Sequence, residues 1–143
     1  MKNAVVTGAG GGIGACITEL AVNLGYRVAA IDMRSDSVNE LADRLDNVIP
    51  LVADITDPES VRQAFDALGC APDLLVNNAG LVRFGPLEDL AVQDFQDVVN
   101  VNLVGSFIVA KEAAARMKTA GSGAIVNITS MGGIHPAPGS GAY

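Results

Sequence analysis

A run of glycines near the N-terminus is the first stretch of this sequence whose residue types and spacing could hold a ligand. Residues 8–14 read GAGGGIG, follow the apolar stretch Ala4–Val6 and precede a helical pattern. Glycine lets the main chain turn tightly and lets a bulky anion approach it, and a helix N-terminus offers free N–H groups and a positive dipole end. The run therefore predicts a strand, a turn and a helix that together bind a pyrophosphate. A tight turn that binds no ligand is the alternative.

Asp32 lies where an acidic side chain can contact the ribose of a bound dinucleotide. It ends the apolar stretch Arg27–Ile31, and an acidic residue about 20 residues beyond such a turn accepts hydrogen bonds from the adenosine ribose. Its negative charge would repel a 2′-phosphate, which favours NAD over NADP. Arg34 could hold that phosphate, so NADP is the less favoured cofactor. A solvated carboxylate at a strand end is the alternative role for Asp32.

Length and charge limit the class of protein. The chain has 143 residues, of which 50% are hydrophobic, and its 16 acidic and 9 basic residues give a net charge of −7. This length predicts a single domain over residues 1–143 with a substantial core. A nucleic-acid partner is disfavoured because binding its backbone needs a basic face.

The sequence shows no targeting segment and no metal-binding pattern. The apolar run after Met1–Asn3 is too short for a signal peptide, and no stretch approaches the uninterrupted length of a membrane span. We therefore expect a cytoplasmic protein without a membrane partner. Cys16 and Cys70 lack C-x-x-C spacing and are expected to be free thiols, with Cys16 packed in a helix; with His135 as the only histidine, no metal site is expected.

Strand and helix patterns alternate along the whole chain. The predicted strands are Ala4–Val6, Arg27–Ile31, Val48–Ala53, Leu74–Val76 and Ala124–Ile128, and the predicted helices are Ile13–Leu24, Ser37–Leu45, a helix starting at Pro58, and Val92–Lys118. Ser37 and Glu40 form a predicted capping box, Asp57 a predicted N-cap, and Gly25 a predicted left-handed helix end. Apolar strands that alternate with helices predict an α/β fold, a Rossmann-type doubly wound parallel sheet with helices on both faces.

Three motifs resemble those of the short-chain dehydrogenase/reductase family, and they follow each other along the chain in the family's order. Thr7–Gly14 resembles its T-G-x-x-x-G-I-G motif, Asn77–Gly80 its N-N-A-G motif, and Asp54 with Ile55 its adenine-contacting acidic position. In the family, Asn78 ties neighbouring strands together and the Ala-Gly backbone lies near the cofactor ribose. The cofactor-binding residues implied by the resemblance, together with the acidic residue named above, are Thr7, Gly8, Gly10, Gly12, Ile13, Gly14, Asp32, Asp54, Ile55, Asn78, Ala79 and Gly80.

The same resemblance implies three catalytic residues. Asn102 matches the asparagine that holds a water in a proton relay, and Ser130 matches the serine that positions the substrate carbonyl. Tyr143 follows Ser130 by 13 residues, which is the family's spacing between this serine and its acid/base tyrosine. The role of Asn102 as a helix kink or a packed polar residue remains an alternative.

The resemblance implies an oxidoreductase that transfers hydride reversibly between NAD(H) and a secondary alcohol or ketone, such as a 3-oxoacyl thioester or a small alcohol or sugar. Met131, Gly132, Gly133 and His135 are the visible candidates for substrate contact. A non-catalytic dinucleotide-binding or regulatory module is the alternative from another functional class. A nucleotide-sugar epimerase is disfavoured, because such proteins usually show G-x-x-G-x-x-G in the turn.

Family members generally pair the long helix with its copy in a second subunit, which implies a homodimer or homotetramer. The residues of this helix that could supply a close-packed face are Phe107, Ile108, Ala110, Ala113 and Ala114. Packing within the core of one subunit is the alternative for these residues.

The family pattern Y-x-x-x-K is met only at its tyrosine, because the sequence ends at Tyr143. A free tyrosine titrates near pH 10, and the family's lysine lowers that value with its positive charge. We interpret the 143 residues as the first part of a longer enzyme, apparently truncated after the fifth strand and inactive alone. A deliberately short dinucleotide-binding protein is the alternative. The fifth strand is then expected to be an apolar sheet edge.

Overall fold

The computed structural model describes all residues from Met1 to Tyr143 and contains one sheet of five parallel strands. The strands are β1 (Lys2–Thr7), β2 (Tyr26–Asp32), β3 (Val48–Val52), β4 (Leu74–Asn77) and β5 (Ala124–Asn127). Their order across the sheet is β3-β2-β1-β4-β5. The sheet therefore extends in one direction from β1 to β3 and in the other from β4 to β5, so that a topological switch point lies between β1 and β4, where ligands of such sheets bind. The predicted Rossmann-type fold is confirmed.

Five α-helices connect the strands. They are α1 (Gly12–Asn23), α2 (Ser35–Arg44), α3 (Pro58–Leu68), α4 (Val92–Val99) and α5 (Ser106–Ala120), and the π-helical turns Asn100–Gly105 join α4 to α5. The long predicted helix therefore exists as a unit that widens in its middle. Short 3₁₀ turns cover Leu87–Asp89 and Met131–Gly133.

The hydrophobic core forms two layers, one on each face of the sheet. Val5, Ile31 and Leu75 face α3 and α5, where Phe65 and Val109 join the same cluster. On the opposite face, the cluster of Val6, Val28 and Val76 includes Val38 and Leu41 of α2 and packs against residues of α1. Alternate side chains of each strand thus enter different layers, which fixes the register of the sheet.

The helix ends follow the predicted chemistry in two places and depart from it in one. Asp57 caps α3, since its carboxylate accepts the N–H of Glu59 at 3.0 Å, and Gly25 has a φ of +86°. The predicted capping box is wrong, because α2 begins at Ser35. Ser37 lies inside the helix, and its hydroxyl donates to the carbonyl of Arg34 at 2.9 Å. A serine hydroxyl can bond to the backbone inside a helix turn as well as cap it.

Small residues bring α1 against the sheet. Its buried residues are Gly14, Thr18 and Ala21, whereas the apolar residues Leu20 and Leu24 are 59% and 68% exposed. Cys16 is also exposed, so the expectation that it packs is wrong. The pattern of α1 predicted a helix correctly but did not identify its buried face.

The unit Val92–Ala120 spans 29 residues and is long and apolar enough to cross a bilayer by length and composition. This corrects the expectation that no stretch approaches such a length. Val109, Ala113 and Met117 of this unit belong to the hydrophobic core, so one face of the helix packs against the sheet, and 22% of its apolar window is buried. Ala113 was a predicted subunit contact, and its full burial places it in the core instead.

Candidate functional site

A cavity of about 700 Å³ opens at the carboxyl ends of the strands. Its walls come from the glycine turn, from residues 31–34 at the end of β2, from residues 53–55 after β3, and from residues 78–81 after β4, with Val101 of the long helix. The volume lies within the usual range of about 300–1,000 Å³ for small-molecule sites. The topological switch point and the glycine turn thus open into one space.

A set of hydrogen bonds joins the ends of β1 and β4 below this cavity. The hydroxyl of Thr7 accepts the backbone N–H groups of Asn78 and Ala79, each at 3.1 Å. The side-chain amide of Asn78 donates to the carbonyl of Thr7 at 3.0 Å and to that of Gly8 at 3.3 Å. Thr7 is 1% exposed, so these bonds are shielded from water and hold the glycine turn against the loop after β4.

The positions in the turn are glycine for different structural reasons. Gly8 has a φ of +63°, and a Cβ there would lie 2.8 Å from the Cα of Ala79. A Cβ on Gly14 would clash with the carbonyl of Gly8, and one on Gly10 with the hydroxyl of Ser37. Gly12 has open space around its Cβ position and lines the cavity. Gly8, Gly10 and Gly14 are therefore needed for the fold of the turn, whereas Gly12 leaves open space in the cavity where a ligand could lie.

The N-terminus of α1 faces the cavity without a side-chain cap. Gly11 occupies the N-cap position and has no side chain that could accept the first N–H groups of the helix. Residues 11–14 line the cavity. The first N–H groups of a helix have no partner within the helix. An anionic group such as a pyrophosphate fits this end of the cavity.

Asp32 stands at the other end of the glycine turn. One carboxylate oxygen accepts the N–H of Gly10 at 3.0 Å, and the other accepts the N–H of Arg34 at 3.0 Å. The Nε of Arg34 lies 3.5 Å from the second oxygen. Asp32 is 9% exposed and the side chain of Arg34 66% exposed. The carboxylate is therefore held rigidly at the cavity wall, with acceptor capacity left for hydroxyl donors.

Asp54 and Ile55 form the wall after β3. The carboxylate of Asp54 accepts the backbone N–H and the hydroxyl of Thr56, at 2.8 and 2.7 Å. Ile55 is 6% exposed and belongs to the core cluster as well as to the cavity lining. Asp54 therefore lines the cavity from a turn that Thr56 holds.

Asn102 lies in the π-helical turns and is bonded to the loop after β4. Its side-chain oxygen accepts the N–H of Leu81 at 2.7 Å, and its amide nitrogen donates to the carbonyl of Leu81 at 2.8 Å. Both ends of the amide are thus used to hold one residue of the loop. The side chain of Asn102 therefore fixes the cavity wall at Leu81.

Ser130 and Tyr143 are brought together on Gly132. The hydroxyl of Ser130 accepts the N–H of Gly132 at 3.0 Å. A Cβ on Gly132 would lie 3.3 Å from this hydroxyl oxygen and 3.2 Å from two ring carbons of Tyr143. The two predicted catalytic side chains therefore border the same small space, and Tyr143 remains 46% exposed. His135 lies on the exposed surface of the same loop.

Sequence reasoning missed some residues of the site. Met33 is 65% exposed and lines the cavity. Its position directly after Asp32 in the sequence is the signal that could have identified it as a site residue. Leu81 and Val101 also line the cavity, next to the predicted Gly80 and Asn102. Gly132 was named only as a possible substrate contact, and no pattern indicated that it separates Ser130 from Tyr143.

Comparison with known proteins adds the following findings. The family model described as short chain dehydrogenase matches residues 2–143. D-threitol dehydrogenase of Mycolicibacterium smegmatis is 38% identical over 136 residues, which cover 90% of this chain and 52% of that protein. A probable NADP-dependent dehydrogenase of Haemophilus influenzae is 33% identical over 145 residues, which cover 98% of this chain and 58% of that protein.

Among solved structures, a crystal structure of NAD⁺-bound xylitol dehydrogenase matches with a TM-score of 0.94 and 32% sequence identity. The match covers 99% of this chain and 58% of the xylitol dehydrogenase chain. The present chain thus spans about half the length of the curated relatives it matches, 52% and 58% for the two named above.

The two glycines 12 and 14 give the first prediction. Gly14→Ala should destabilise the protein, because its Cβ meets the carbonyl of Gly8, and overpacking typically costs about 1–3 kcal/mol. Gly12→Ala should leave thermal stability unchanged or raised, because its Cβ enters open space at the start of a helix. Thermal unfolding and calorimetric titration with NAD check both variants. If Gly12→Ala were as unstable as Gly14→Ala, this geometry of the turn would be wrong.

Proposed function

Because the chain belongs to the short-chain dehydrogenase/reductase family, we propose that the protein containing it transfers hydride reversibly between NAD(H) and a secondary alcohol or ketone. The observation that carries the proposal is the cavity at the carboxyl ends of the strands, with an uncapped helix N-terminus and a rigidly held Asp32. Two of the similar proteins are named as dehydrogenases of sugar alcohols. Small polyols are therefore the first substrates to test.

The residues around the cavity fit a dinucleotide. The N–H groups at residues 11–14 would hold the pyrophosphate, and the carboxylate of Asp32 would accept hydrogen bonds from the adenosine ribose. Asp54 would contact the adenine, and the Ala79–Gly80 backbone the second ribose. The open space at Gly12 supports this fit, since a ligand can approach the main chain there.

NAD is proposed over NADP because the carboxyl group of Asp32 lines the cavity and the residue is only 9% exposed. A 2′-phosphate placed beside it meets like charge, which disfavours binding. Arg34 opposes this preference to some degree, because its guanidinium lies 3.5 Å from the carboxylate and its exposed side chain could turn to a phosphate. One of the similar proteins is named NADP-dependent and another was solved with NAD⁺ bound.

Ser130 and Tyr143 would carry out the proton chemistry. In alcohol oxidation, the hydroxyl of Ser130 hydrogen-bonds the substrate oxygen, and Tyr143 takes the proton from the substrate hydroxyl. When bound, the nicotinamide ring supplies the hydride acceptor. A lysine four residues after Tyr143 in the full-length protein would place a positive charge beside the phenol, and Asn102 would support a proton path to solvent. Ketone reduction runs the same steps in reverse.

Tyr143→Phe in the full-length protein should lower kcat by about 10²–10⁴-fold, because it removes the acid/base group. NAD affinity should remain, since the glycine turn and Asp32 are unchanged. Tyr26→Phe is the matched control, because Tyr26 begins β2 away from the site. The measurement is NADH absorbance with a panel of polyols, secondary alcohols and ketones.

Two results of that assay would contradict the proposal. Full turnover by Tyr143→Phe would show that Tyr143 has another role. NAD binding without turnover of any substrate by the full-length wild type would favour the non-catalytic binding module. Residues 1–143 expressed alone are proposed to be inactive, since the lysine and its helix are not among them.

The cofactor preference is tested at Asp32. The wild-type full-length enzyme should have the higher kcat/KM with NAD, and Asp32→Ser should narrow the difference between NAD and NADP several-fold. Asp36→Ser is the control, because Asp36 carries the same charge nearby but does not line the cavity. Equal kcat/KM values with both cofactors in the wild type would refute the preference.

We also propose that α5 contributes to a homodimer or homotetramer interface. Phe107 and Ala114 lie seven residues apart in α5 and are exposed, with Phe107 64% exposed, and Leu103 of the adjoining π-helical turns is 67% exposed. Ile108 and Ala110 pack instead against the core. Large exposed apolar side chains in one row are typical of an interaction surface.

Phe107→Asp in the full-length protein should shift the assembly toward monomers, because a carboxylate is costly to bury in an apolar interface. Sedimentation velocity at micromolar concentration measures the change. Phe84→Asp is the control, because Phe84 is 69% exposed but lies in a loop outside α5. A wild type that is strictly monomeric, or equal dissociation by both variants, would refute the proposed interface.

A further inference from the structure

The segment that carries Tyr143, residues 131–143, is bonded almost only to itself. The N–H groups of Ile134 and His135 go to the carbonyl of Met131, and the N–H of Tyr143 goes to the carbonyl of Ser140 at 3.0 Å. Apart from bonds to the adjoining Ser130, one hydrogen bond leaves the segment. In it, the N–H of Gly85 donates to the carbonyl of Gly139 at 2.9 Å.

The two chains approach closely around this bond. Gly85 and Ser140 form a parallel bridge, and Gly139 has a φ of +78°, with its Cβ position 3.4 Å from the carbonyl oxygen of Gly85. A Cβ on Gly141 would lie 3.1 Å from the side chain of Leu87. Ser140 is 7% exposed despite its position in a loop. The contact is therefore packed on both sides of the hydrogen bond.

A short path leads from this contact to the tyrosine. The hydroxyl of Ser140 donates to the carbonyl of Ala137 at 2.6 Å, which closes the turn around Gly139. The carbonyl of Ser140 then accepts the N–H of Tyr143. One hydrogen-bonded turn therefore connects Gly139 to the backbone of Tyr143.

The loop that supplies Gly85 is itself anchored to the long helix. Both backbone groups of Leu81 are bonded to Asn102. Arg83 forms an ion pair with Asp94 of α4 at 3.3 Å. The loop is therefore tethered to the long helix on the N-terminal side of Gly85, the residue that contacts the segment with Tyr143.

We propose that the hydrogen bond between Gly85 and Gly139 orients Tyr143 against Ser130, which makes both glycines positioning residues for hydride transfer. This inference rests on the proposed function. Tyr143 is 46% exposed, so its own packing restrains it little. A displacement of about 1 Å at a reacting group can cost 10²-fold in rate, so a single backbone bond at this place has a large effect.

The test compares two substitutions of one glycine in the full-length enzyme. Gly85→Pro removes the donating N–H, whereas Gly85→Ala keeps it and places its Cβ in open space. Gly85→Pro should lower kcat by roughly 10- to 100-fold, with the KM and Kd for NAD unchanged, because the cofactor residues lie elsewhere. Gly85→Ala should keep the wild-type kcat. Equal kcat values for the two variants, or a change confined to the KM for NAD, would overturn the proposal.

A second pair tests the other side of the bond without a proline. Gly139→Ala puts a side chain where φ is +78° and against the carbonyl of Gly85, whereas Gly69→Ala, at a φ of +75° after α3, meets nothing within 4 Å. Only Gly139→Ala should lower kcat at constant KM for NAD. The same loss in Gly69→Ala would show that backbone strain at any glycine of positive φ lowers kcat, and the specific role of Gly139 would be refuted.

Amide hydrogen exchange separates this inference from the proposed function. In the wild type, the amides of Gly85 and Tyr143 should both exchange slowly, and in Gly139→Ala both should exchange faster. Loss of protection at Gly85 alone would overturn the positioning role. Amide exchange is measured without turnover. A wild type that oxidises no substrate would therefore refute the proposed function, while the exchange rates of Gly85 and Tyr143 would still show whether the contact holds Tyr143.

Discussion

The site depends first on the hydrogen bonds between Thr7 and Asn78, which fasten the ends of β1 and β4 to each other. These strands are neighbours at the switch point, so the distance between their ends sets the width of the cavity. Because Thr7 is buried, loss of its hydroxyl would leave two backbone N–H groups without a partner, which is costly in a dry interior. The same bonds bring Gly8 so close to Ala79 that a residue larger than glycine does not fit at position 8.

The π-helical turns between α4 and α5 form the second constraint on the site. A π-helical stretch inside an α-helix frequently occurs at functional sites, and here it contains Asn102, which grips the loop after β4. Gly105 ends the stretch, and a Cβ there would lie 2.8 Å from the side chain of Ile55. The helix therefore packs against the cavity wall after β3 and at the same time holds the wall after β4. Its local widening couples two sides of one cavity.

The sheet and the glycine turn could be predicted because they are encoded in local patterns. Buried parallel strands are short apolar runs, and Asp32 and Asn77 end two of them. The start of α2 could not be predicted in the same way, since the hydroxyl of Ser37 can cap a helix or bond to Arg34 inside one. The exposed Leu20 and Leu24 show a further limit. Periodicity reports which residues prefer burial, while burial itself depends on which neighbours stand opposite them.

The tyrosine side of the site was the hardest to predict, and the reason is physical. Gly85, Gly132 and Gly139 act through backbone atoms and through the space that a missing side chain leaves. Such contacts carry no hydrophobic period, no charge pattern and no fixed spacing, so a sequence shows glycines there without showing what they approach. Ser130 and Tyr143 could be named from their types and interval, whereas the contacts that bring them to one place join chain segments more than 50 residues apart, as Gly85 and Gly139 do. Residue identity thus indicates which groups can react, and long-range backbone packing decides whether they meet.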